Sequence, residues 1–292
     1  MKEPLILDGK ATSKKIEAQL KERVEALKKK LDFVPKLATI IVGDFAPSVT
    51  YVNMKRKACE RVGLESLIIE MPESTTTEQL EKKIKELNAN KTICGILLQH
   101  PVTKQIDERK CFDTIALEKD VDGVNSASYG GVVMGLNNYK SATPLGIMTL
   151  LKEYNIELSG KHAVVVGRSP ILGKPISALL LNEDCTVTVC HRKTKNLPEI
   201  LKTADIVVGA VGKPNFIKAD WIKTGTVLVD AGYNEGNVGD IDMENCKHKA
   251  SAYTPVPGGV GPMTIVSLMS QTVDAAEKIA NKEYLRHFGL EK

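Results

Sequence analysis

The sequence is poor in aromatic residues and in long apolar runs, and each shortage excludes a class of protein. Only 4% of the 292 residues are aromatic, with a single Trp, which argues against the aromatic surfaces that stack on single-stranded nucleic acid. No apolar run approaches the roughly 18 residues that a membrane-spanning helix needs, and the N-terminus lacks a signal-peptide core. We therefore expect a cytoplasmic protein with no nucleic-acid partner and no membrane partner.

Cysteine and histidine are present without the spacing of a disulfide framework or a metal site. The six cysteines include no C-x-x-C pair, and several lie in apolar runs, as buried cysteines of a reducing compartment do. The five histidines are dispersed, and neither a Ser-His-Asp order nor a metal-ligand spacing is recognisable. We predict no metal. The net charge of +4 is spread along the chain, which suits small anionic ligands better than DNA.

Short apolar runs alternate with amphipathic segments, a pattern typical of β-α-β units and a parallel sheet. The expected strands of the first half are 37–43, 66–71 and 94–99, all of them buried. In the second half the same alternation predicts strands at 162–167, 186–190, 205–211 and 226–232. The expected helices include 11–30, 76–90, one that carries Tyr51 and Lys55, and a final one at 263–288.

A segment rich in Gly, Ser and Asn at 122–144 interrupts this pattern and indicates a domain boundary or a binding loop. We expect an α/β protein of two α/β domains with a cleft between them. The first is residues 1–142, completed by a C-terminal helix at 268–292 that crosses back to it. The second is residues 143–267, a Rossmann-like dinucleotide-binding domain.

The second half contains a glycine-bearing turn between a strand and a helix, "VVVGRSPILGKP". Gly167 and Gly173 let backbone amides approach phosphate oxygens, while Arg168 and Ser169 add a guanidinium and a hydroxyl. The spacing differs from the usual G-x-G-x-x-G, so a plain turn without a ligand is the alternative interpretation.

The end of the next strand indicates which dinucleotide is bound. NAD-binding domains usually carry an acidic residue there, roughly 20 positions after the glycines, to bind the ribose hydroxyls. This strand instead runs into His191, Arg192, Lys193 and Thr194. Such side chains attract a ribose phosphate, so the sequence favours NADP over NAD. A basic surface loop that touches no ligand is the alternative.

Two further segments have the composition of a site. The stretch "YTPVPGGVGPMT" (253–264) has three prolines and three glycines, which impose a specific backbone path; it is either a connection or the wall of a binding site.

Tyr51 and Lys55 lie four positions apart and share a helix face, either as a surface pair or as part of an active site. Gln99 follows an apolar strand and Asp122 lies in a turn, and either one alone is more often a cap or a turn former. Lys55 is the best acid–base candidate, because partial removal from water lowers the pKa of a lysine.

These segments occur together in one order: "YVNMKRKACERVGL", "GILLQHP", "KDVDG", "ATPLGIM", "VVVGRSPILGKP", "CHRKTKNL", "AVGKP" and "TPVPGGVGPMT". Over nearly its whole length the chain resembles the methylenetetrahydrofolate dehydrogenase/methenyltetrahydrofolate cyclohydrolase family. The resemblance implies NADP-dependent oxidation of 5,10-methylenetetrahydrofolate, followed by hydrolysis of the methenyl product to 10-formyltetrahydrofolate. It also implies tetrahydrofolate derivatives as partners and a homodimer formed through the second domain.

The resemblance also implies a role for each matching residue. Lys55 is the essential cyclohydrolase group, Tyr51 stacks on the folate, Gln99 tunes Lys55, and Asp122 holds the pterin ring. The implied cofactor residues are Gly167, Arg168 and Ser169 at the phosphates, Arg192 and Thr194 near the ribose phosphate, and Tyr233 near the nicotinamide ribose. The implied substrate wall is Pro257, Gly258, Gly259 and Pro262.

The chain departs from the family pattern where relatives line the folate site. "LLQHPV" replaces a Leu-Pro-Leu-Pro run after the glutamine, and "DGVNSASYGG" replaces the common "DGFHPxNxG". Two other functions stay open from the residues alone. One is a dehydrogenase of the same two-domain plan acting on shikimate or an amino acid. The other is a non-catalytic nucleotide-sensing module.

Overall fold

The structure, a computed structural model, describes residues 3–43 and 46–287. The chain divides into two compact units. Unit 1 consists of the N-terminal residues through Lys14, Val132–Leu136 and Ser141–Thr264. Unit 2 consists of Lys15–Gly131, Asn137–Lys140 and the chain from Ile265 onward.

Strands and helices alternate through most of the described chain. The strands are β1 (Leu5–Ile6), β2 (Lys36–Val42), β3 (Glu65–Met71), β4 (Ile93–Leu98), β5 (His162–Val166), β6 (Thr186–Cys190), β7 (Ile206–Gly209), β8 (Thr226–Asp230) and β9 (Ala250–Tyr253). The helices are α1 (Gly9–Lys28), α2 (Ala46–Val62), α3 (Thr77–Ala89), α4 (Glu108–Thr114), α5 (Ser126–Val133), α6 (Ala142–Glu153), α7 (Gly173–Asn182), α8 (Leu197–Leu201), α9 (Met243–Cys246) and α10 (Val260–His287).

Unit 2 is built on a parallel sheet with the strand order β3-β2-β4. β2 and β4 are buried along almost their whole length, which explains why both are continuous apolar runs. The expectation of a buried strand at 66–71 is wrong, because β3 lies at the sheet edge and alternates between exposed and half-buried side chains. Leu67 in this strand is 37% exposed.

Helix α3 shows how local sequence and packing act together in unit 2. It begins with a capping box, in which the Thr76 hydroxyl accepts from the backbone N–H of Gln79 and the Gln79 side chain accepts from the N–H of Thr76. The helix buries Leu80, Ile84 and Leu87. This spacing places the apolar side chains on one face.

Unit 1 contains a parallel sheet with the strand order β1-β9-β8-β7-β5-β6. The chain passes from β5 to β6 on one side and then to β7 on the other side of β5. This reversal creates a switch point at the carboxyl ends of β5 and β7, where ligands of open parallel sheets bind. Residues of β5, β7 and β8, including Val164, Val207 and Leu228, form the buried core beneath it.

The final helix α10 begins at Val260, three residues before the predicted start at 263. Pro262 lies in its first turn, where the missing N–H of proline removes no intrahelical hydrogen bond. From Ile265 onward the helix belongs to unit 2. There Asp274 accepts a hydrogen bond from Arg23 at 2.6 Å, and the Gln271 amide donates to the carbonyl of Val121 at 2.7 Å.

Two further properties of the described residues are the state of the cysteine thiols and the hydropathy of the helices. All six cysteines are buried, and none of them forms a disulfide. Burial raises the pKa of Cys59 and of Cys246 to about 12, so both thiols serve as neutral packing groups. Among the described helices, none combines the length and apolarity needed to cross a membrane.

Candidate active site

The amine of Lys55 lies at the switch point of the unit 2 sheet. Its Nζ donates to Oε1 of Gln99 at 2.9 Å, and Gln99 is the residue directly after β4. The backbone N–H of Gln99 in turn donates to the carbonyl of Ile40 in β2 at 2.8 Å. Because β3 and β4 flank β2 on opposite sides, this contact places the lysine where ligands of parallel sheets bind.

The surroundings of Lys55 change its acidity. Lys55 is half-buried, and the loss of water around its amine lowers its pKa below the ordinary value, while the negative charge of Asp122 acts in the opposite direction. The amine therefore exchanges protons closer to neutrality than an ordinary lysine does. Tyr51 lies one turn earlier in α2 and is also half-buried, so the two side chains share a helix face.

Asp122 lies in a tight turn that a second aspartate closes. Asp120 is fully buried, and its carboxylate accepts the backbone N–H groups of Val124 and Asn125, both at 3.0 Å. Gly123 in this turn has a φ of +61°, which favours glycine. Burial raises the pKa of Asp120 to about 7. Sequence analysis identified only Asp122 of this turn as a site residue.

The nitrogen of the Gln99 amide is also held by a hydrogen bond. Its Nε2 donates to the carbonyl of His100 at 2.8 Å, and Nδ1 of His100 lies 2.7 Å from Oε1 of Glu108. The hydrogen bond to Glu108 raises the pKa of His100 against the opposing effect of burial. Sequence reasoning missed Glu108, because only the fold brings α4 to the end of β4.

In unit 1 the turn after β5 tolerates only glycine at two positions. Gly167 has a φ of +136°, and a Cβ placed there would lie 2.1 Å from the carbonyl oxygen of Ala210. A Cβ on Gly173 would lie 2.3 Å from the carbonyl oxygen of Gly167. Arg168 is exposed and Ser169 half-buried in the same turn, and the Ser169 hydroxyl accepts the N–H of Gly173 at 3.3 Å. The close approach of backbone to backbone explains both glycines.

The basic turn after β6 adjoins this glycine turn, because the N–H of Gly167 donates to the carbonyl of Cys190 at 2.9 Å. His191 and Thr194 close the basic turn, since the N–H of each donates to an oxygen of the other at 2.8 Å. Arg192 is exposed. Residues 191–194 therefore bring cationic side chains, and no carboxylate of their own, to the glycine turn. This arrangement fits a dinucleotide that carries a ribose phosphate.

Buried aspartates position the loops that follow β7 and β8. The carboxylate of Asp240 accepts the backbone N–H groups of Val211, Gly212 and Lys213 at 2.6, 2.9 and 2.9 Å. Tyr233, in the loop after β8, is 57% exposed, and its hydroxyl donates to Asn237 at 2.7 Å. Sequence reasoning missed Asp240, which lies in no pattern that distinguishes it from a surface acid.

The Pro/Gly loop of unit 1 follows a path set by backbone contacts. The carbonyl of Gly258 accepts the N–H of Lys10 at 2.9 Å, and Gly258 has a φ of +106°. The N–H of Gly259 donates to the carbonyl of Pro255 at 2.8 Å. Pro257 is exposed and Pro262 is half-buried in α10. All four predicted wall residues thus lie in unit 1.

The structure brings the predicted site residues together in two groups. Unit 2 collects Lys55, Gln99 and Asp122, with Tyr51 on the helix of Lys55. Unit 1 joins Gly167, Arg168 and Ser169 to the turn of Arg192 and Thr194. A parallel sheet with a glycine turn at its switch point defines unit 1 as a dinucleotide-binding domain of the Rossmann class. The partly buried lysine held by an amide gives unit 2 the character of a catalytic domain.

Comparison with known proteins agrees with this class. The model for "Tetrahydrofolate dehydrogenase/cyclohydrolase, catalytic domain" matches residues 7–122, and the model for the "NAD(P)-binding domain" of the same family matches residues 141–280. The chain therefore belongs to the tetrahydrofolate dehydrogenase/cyclohydrolase family, and the family resemblance of its motifs is confirmed.

Individual relatives cover almost the whole chain. "Bifunctional protein FolD" of Saccharophagus degradans is 64% identical over 274 residues, which are 94% of this chain and 98% of the relative. The crystal structure of the bifunctional FolD enzyme from Campylobacter jejuni has a TM-score of 0.91 at 43% identity, covering 94% of this chain and 98% of that one. The Trypanosoma brucei FolD, complexed with NADP cofactor and inhibitor, has a TM-score of 0.91 at 34% identity, covering 95% and 99%.

Proposed function

We propose that this protein oxidises 5,10-methylenetetrahydrofolate with NADP and hydrolyses the resulting 5,10-methenyltetrahydrofolate to 10-formyltetrahydrofolate. The observation that carries the proposal is the contact of 2.9 Å between Lys55 and Gln99, in a chain whose two halves match both domains of this enzyme family. The two relatives of known structure described above are bifunctional enzymes of the same class.

The dehydrogenase step depends on binding and orientation by unit 1. A bound NADP would supply a nicotinamide ring as the acceptor for the hydride of the folate methylene carbon. The glycine turn at Gly167 admits the diphosphate, and Arg168 and Ser169 supply charge and a hydroxyl to it. Arg192 and Thr194 lie where a ribose phosphate is bound in this fold, and Tyr233 in the loop after β8 borders the nicotinamide ribose. Their contribution is a fixed geometry for the transfer.

The cyclohydrolase step depends on proton movement at Lys55. Water adds to the methenyl carbon, and the neutral amine of Lys55 takes the proton that the water loses. As the carbon–N5 bond breaks, the ammonium returns a proton to N5 and the hydroxyl of the adduct loses its proton to water, which leaves the formyl group on N10. The lowered pKa of Lys55 makes both transfers accessible near neutral pH. Gln99 keeps the amine in place by accepting a hydrogen bond from it.

Replacement of Lys55 tests this mechanism. We expect Lys55→Met to lower the hydrolysis of added methenyltetrahydrofolate by about 100-fold to 10,000-fold, the range for loss of an acid–base group. Oxidation of methylenetetrahydrofolate needs no proton from Lys55 and should persist. Lys57→Met, at an exposed position of the same helix, is the matched control. Near wild-type hydrolysis by Lys55→Met would refute the mechanism, and a wild-type protein that binds NADP without turning over the folate would be a sensing module.

The remaining folate contacts are proposed from their positions. Tyr51 stacks on the folate, since it shares the helix face of Lys55, and Asp122 binds the pterin ring, since its charge acts on Lys55. The wall in unit 1 consists of Pro257, Gly258, Gly259 and Pro262. We expect Asp122→Ala to raise the KM for the folate while the KM for NADP stays unchanged. An unchanged folate KM would remove Asp122 from the binding site.

A preference for NADP over NAD follows from the charge of the basic turn. Arg192→Gln should raise the KM for NADP by roughly 10-fold, because a hydrogen bond to a charged group contributes about 1.5–3 kcal/mol. The KM for NAD should stay the same. Lys202→Gln, an exposed cation at the end of α8, is the control. An equal change for both cofactors would place Arg192 away from the ribose phosphate.

We also propose a homodimer formed through unit 1. Its sheet ends in the edge strand β6, in which Val189 is 39% exposed. Unit 1 also exposes Leu181 at the end of α7 and Met134, which are 59% and 76% exposed. Asn182 links α7 to the carbonyl of Val132, two positions from Met134, at 2.7 Å. Sedimentation should show a dimer that Val189→Lys dissociates. A monomeric wild type would contradict this assembly.

The extent of the domains and the cellular location complete the proposal. We assign the catalytic domain to residues 1–142 with the helix at 268–292, and the cofactor domain to residues 143–267. The family matches at 7–122 and 141–280 support a boundary near residue 142, whereas the compact unit 1 also includes the N-terminal residues through Lys14 and Val132–Leu136. The six buried cysteines, none of which forms a disulfide, support a cytoplasmic location, because such thiols are typical of reducing compartments. Fractionation of cells that produce the tagged protein tests the location.

A further inference from the structure

The segment after β4 carries two polar groups for which the mechanism above has no use, the imidazole of His100 and the carboxylate of Glu108. We propose that both are positioning residues, which hold the amide of Gln99 in the orientation that accepts a hydrogen bond from Lys55. The inference rests on the proposed role of Lys55 in hydrolysis. It extends that role to a histidine at which the chain departs from the family's Leu-Pro-Leu-Pro run.

The orientation of the Gln99 amide matters because one end accepts hydrogen bonds and the other donates them. Nε2 donates to the carbonyl of His100 at 2.8 Å, so Oε1 is the atom that lies 2.9 Å from Nζ of Lys55. The reverse orientation would set two donors against each other at Lys55 and two acceptors against each other at His100. The backbone carbonyl of His100 therefore decides which end of the amide meets the lysine.

Glu108 restrains the segment that carries this carbonyl. Its Oε1 lies 2.7 Å from Nδ1 of His100 and accepts the backbone N–H of Val102 at 3.3 Å. One carboxylate at the start of α4 thus contacts residues on either side of Pro101. Loss of the carboxylate releases the His100 carbonyl, and with it the preference of the Gln99 amide for one orientation.

The contact with His100 depends on charge. Glu108 faces the imidazole from α4, and the charge of Asp122 acts on it from the neighbouring turn. Besides His100, the cation Arg109 also acts on Glu108. With its pKa raised above the ordinary value, His100 is protonated and ion-paired below that pKa. The pair loses its charge as the pH rises through it.

Two glutamates at α4 offer a matched test, since Glu108 is the first residue of this helix and Glu81 contacts the helix from α3. Glu81 contacts Lys110 in α4 at 2.8 Å but has no contact with the segment 99–102 among those described here. We expect Glu108→Ala to lower kcat for hydrolysis of methenyltetrahydrofolate by about 10-fold to 100-fold, the cost of a misplacement of about 1 Å. The KM for the folate and the dehydrogenase kcat should change little. Glu81→Ala should leave the ratio of the two activities at the wild-type value.

Several results would overturn the inference. Equal loss of both activities in Glu108→Ala, or an equal change in Glu81→Ala, would show only a structural role. If Glu108→Ala does not fold, His100→Leu, which leaves α4 intact, decides by the same ratio. Retained hydrolysis in these variants, with Lys55→Met inactive, would refute the inference but not the proposed function. Retained hydrolysis in Lys55→Met would refute the proposed function.

The pH dependence supplies a readout that a merely structural role would not change. His100→Gln keeps a donor for Glu108 but carries no charge. The ratio of wild-type to His100→Gln kcat for hydrolysis should fall as the pH rises through the raised pKa of His100, because the wild type then loses its ion pair. A constant ratio would contradict the positioning role of the protonated imidazole.

Discussion

The two units place their functional groups at the same topological position but by different physical means. In unit 2 the switch point of the sheet carries side chains, with the amine of Lys55, the amide of Gln99 and the carboxylate of Asp122. In unit 1 the corresponding position is shaped by missing side chains, since a Cβ on Gly167 would lie 2.1 Å from a carbonyl oxygen. Unit 1 therefore depends on backbone shape, whereas unit 2 depends on the identity of functional groups.

The largest expected effect on stability comes from a substitution that disturbs the backbone of unit 1. Gly167→Ala forces a Cβ against the Ala210 carbonyl at a φ of +136°, and we expect it to lower the free energy of unfolding by about 3 kcal/mol or more. Gly160→Ala is the control, with a φ of +73° and open space around the added Cβ, for which about 1 kcal/mol is expected. Urea denaturation measures both. Equal losses would mean that φ alone, without the close approach, explains Gly167.

A loss almost as large is expected at the loop after β7. Asp240→Ala leaves three backbone N–H groups without their acceptor, and each such group costs about 1–3 kcal/mol when it stays buried. Because part of this loop can reach water, we expect a total of about 3 kcal/mol. The KM for NADP should rise, while hydrolysis of added methenyltetrahydrofolate persists.

The control for this prediction is Asp220→Ala, an exposed aspartate of the same unit, which should change neither stability nor the KM for NADP. If Asp240→Ala impaired hydrolysis as strongly as cofactor binding, the separate physical roles of the two units would be wrong.

A pH-dependent effect concerns the buried acid of the unit 2 turn. The pKa of Asp120 is raised to about 7, so the folded protein keeps this proton where the unfolded chain has lost it. The contribution of Asp120 to stability is fully present below about pH 4 and is lost as the pH rises to about 7, at about 1 kcal/mol per pH unit. Asp120→Asn should remove this part of the slope in urea titrations. A wild-type stability that rises over this range relative to Asp120→Asn would contradict the assignment.

The smallest expected effect is a gain. Gly130 lies in α5 of unit 2 with open space around an added Cβ, so Gly130→Ala should stabilise the protein by about 0.5–1 kcal/mol. Gly131→Ala is the comparison, because its Cβ would lie 2.3 Å from the side chain of Asn138, and it should gain less or lose stability. A destabilised Gly130→Ala variant would show that glycines constrain the backbone of unit 2 as well.

Local patterns in the sequence were sufficient to predict most of the fold. The apolar runs predicted β2 to β8 to within a few residues, because a parallel strand buried on both faces must be continuously apolar. The short strands β1 and β9 of the unit 1 sheet were missed. The error at β3 has a tertiary cause, since the same kind of apolar run lies at a sheet edge. The start of α10 was placed late, because a proline is compatible with a first helical turn.

From the sequence alone, only those site residues could be predicted whose task requires one particular residue type. Lys55, Gln99 and the glycines of the turn were identifiable because few other residues perform the same task. His100 and Glu108, in contrast, are ordinary residues eight positions apart, and only the packing of α4 beside the end of β4 joins them. Asp240 likewise acquires a role only because the fold brings it to the loop after β7.

The sequence by itself determined the α/β class, the glycine turn with its basic partner, and the family to which the chain belongs. These properties depend on local periodicity and on residue type, which can be recognised without knowledge of distant contacts. Tertiary structure decided which polar groups meet. The partial burial that lowers the pKa of Lys55, the carbonyl that orients Gln99 and the carboxylates that clamp the loops all arise from residues far apart in the chain. Neither burial nor hydrogen-bond geometry exists until the chain has folded.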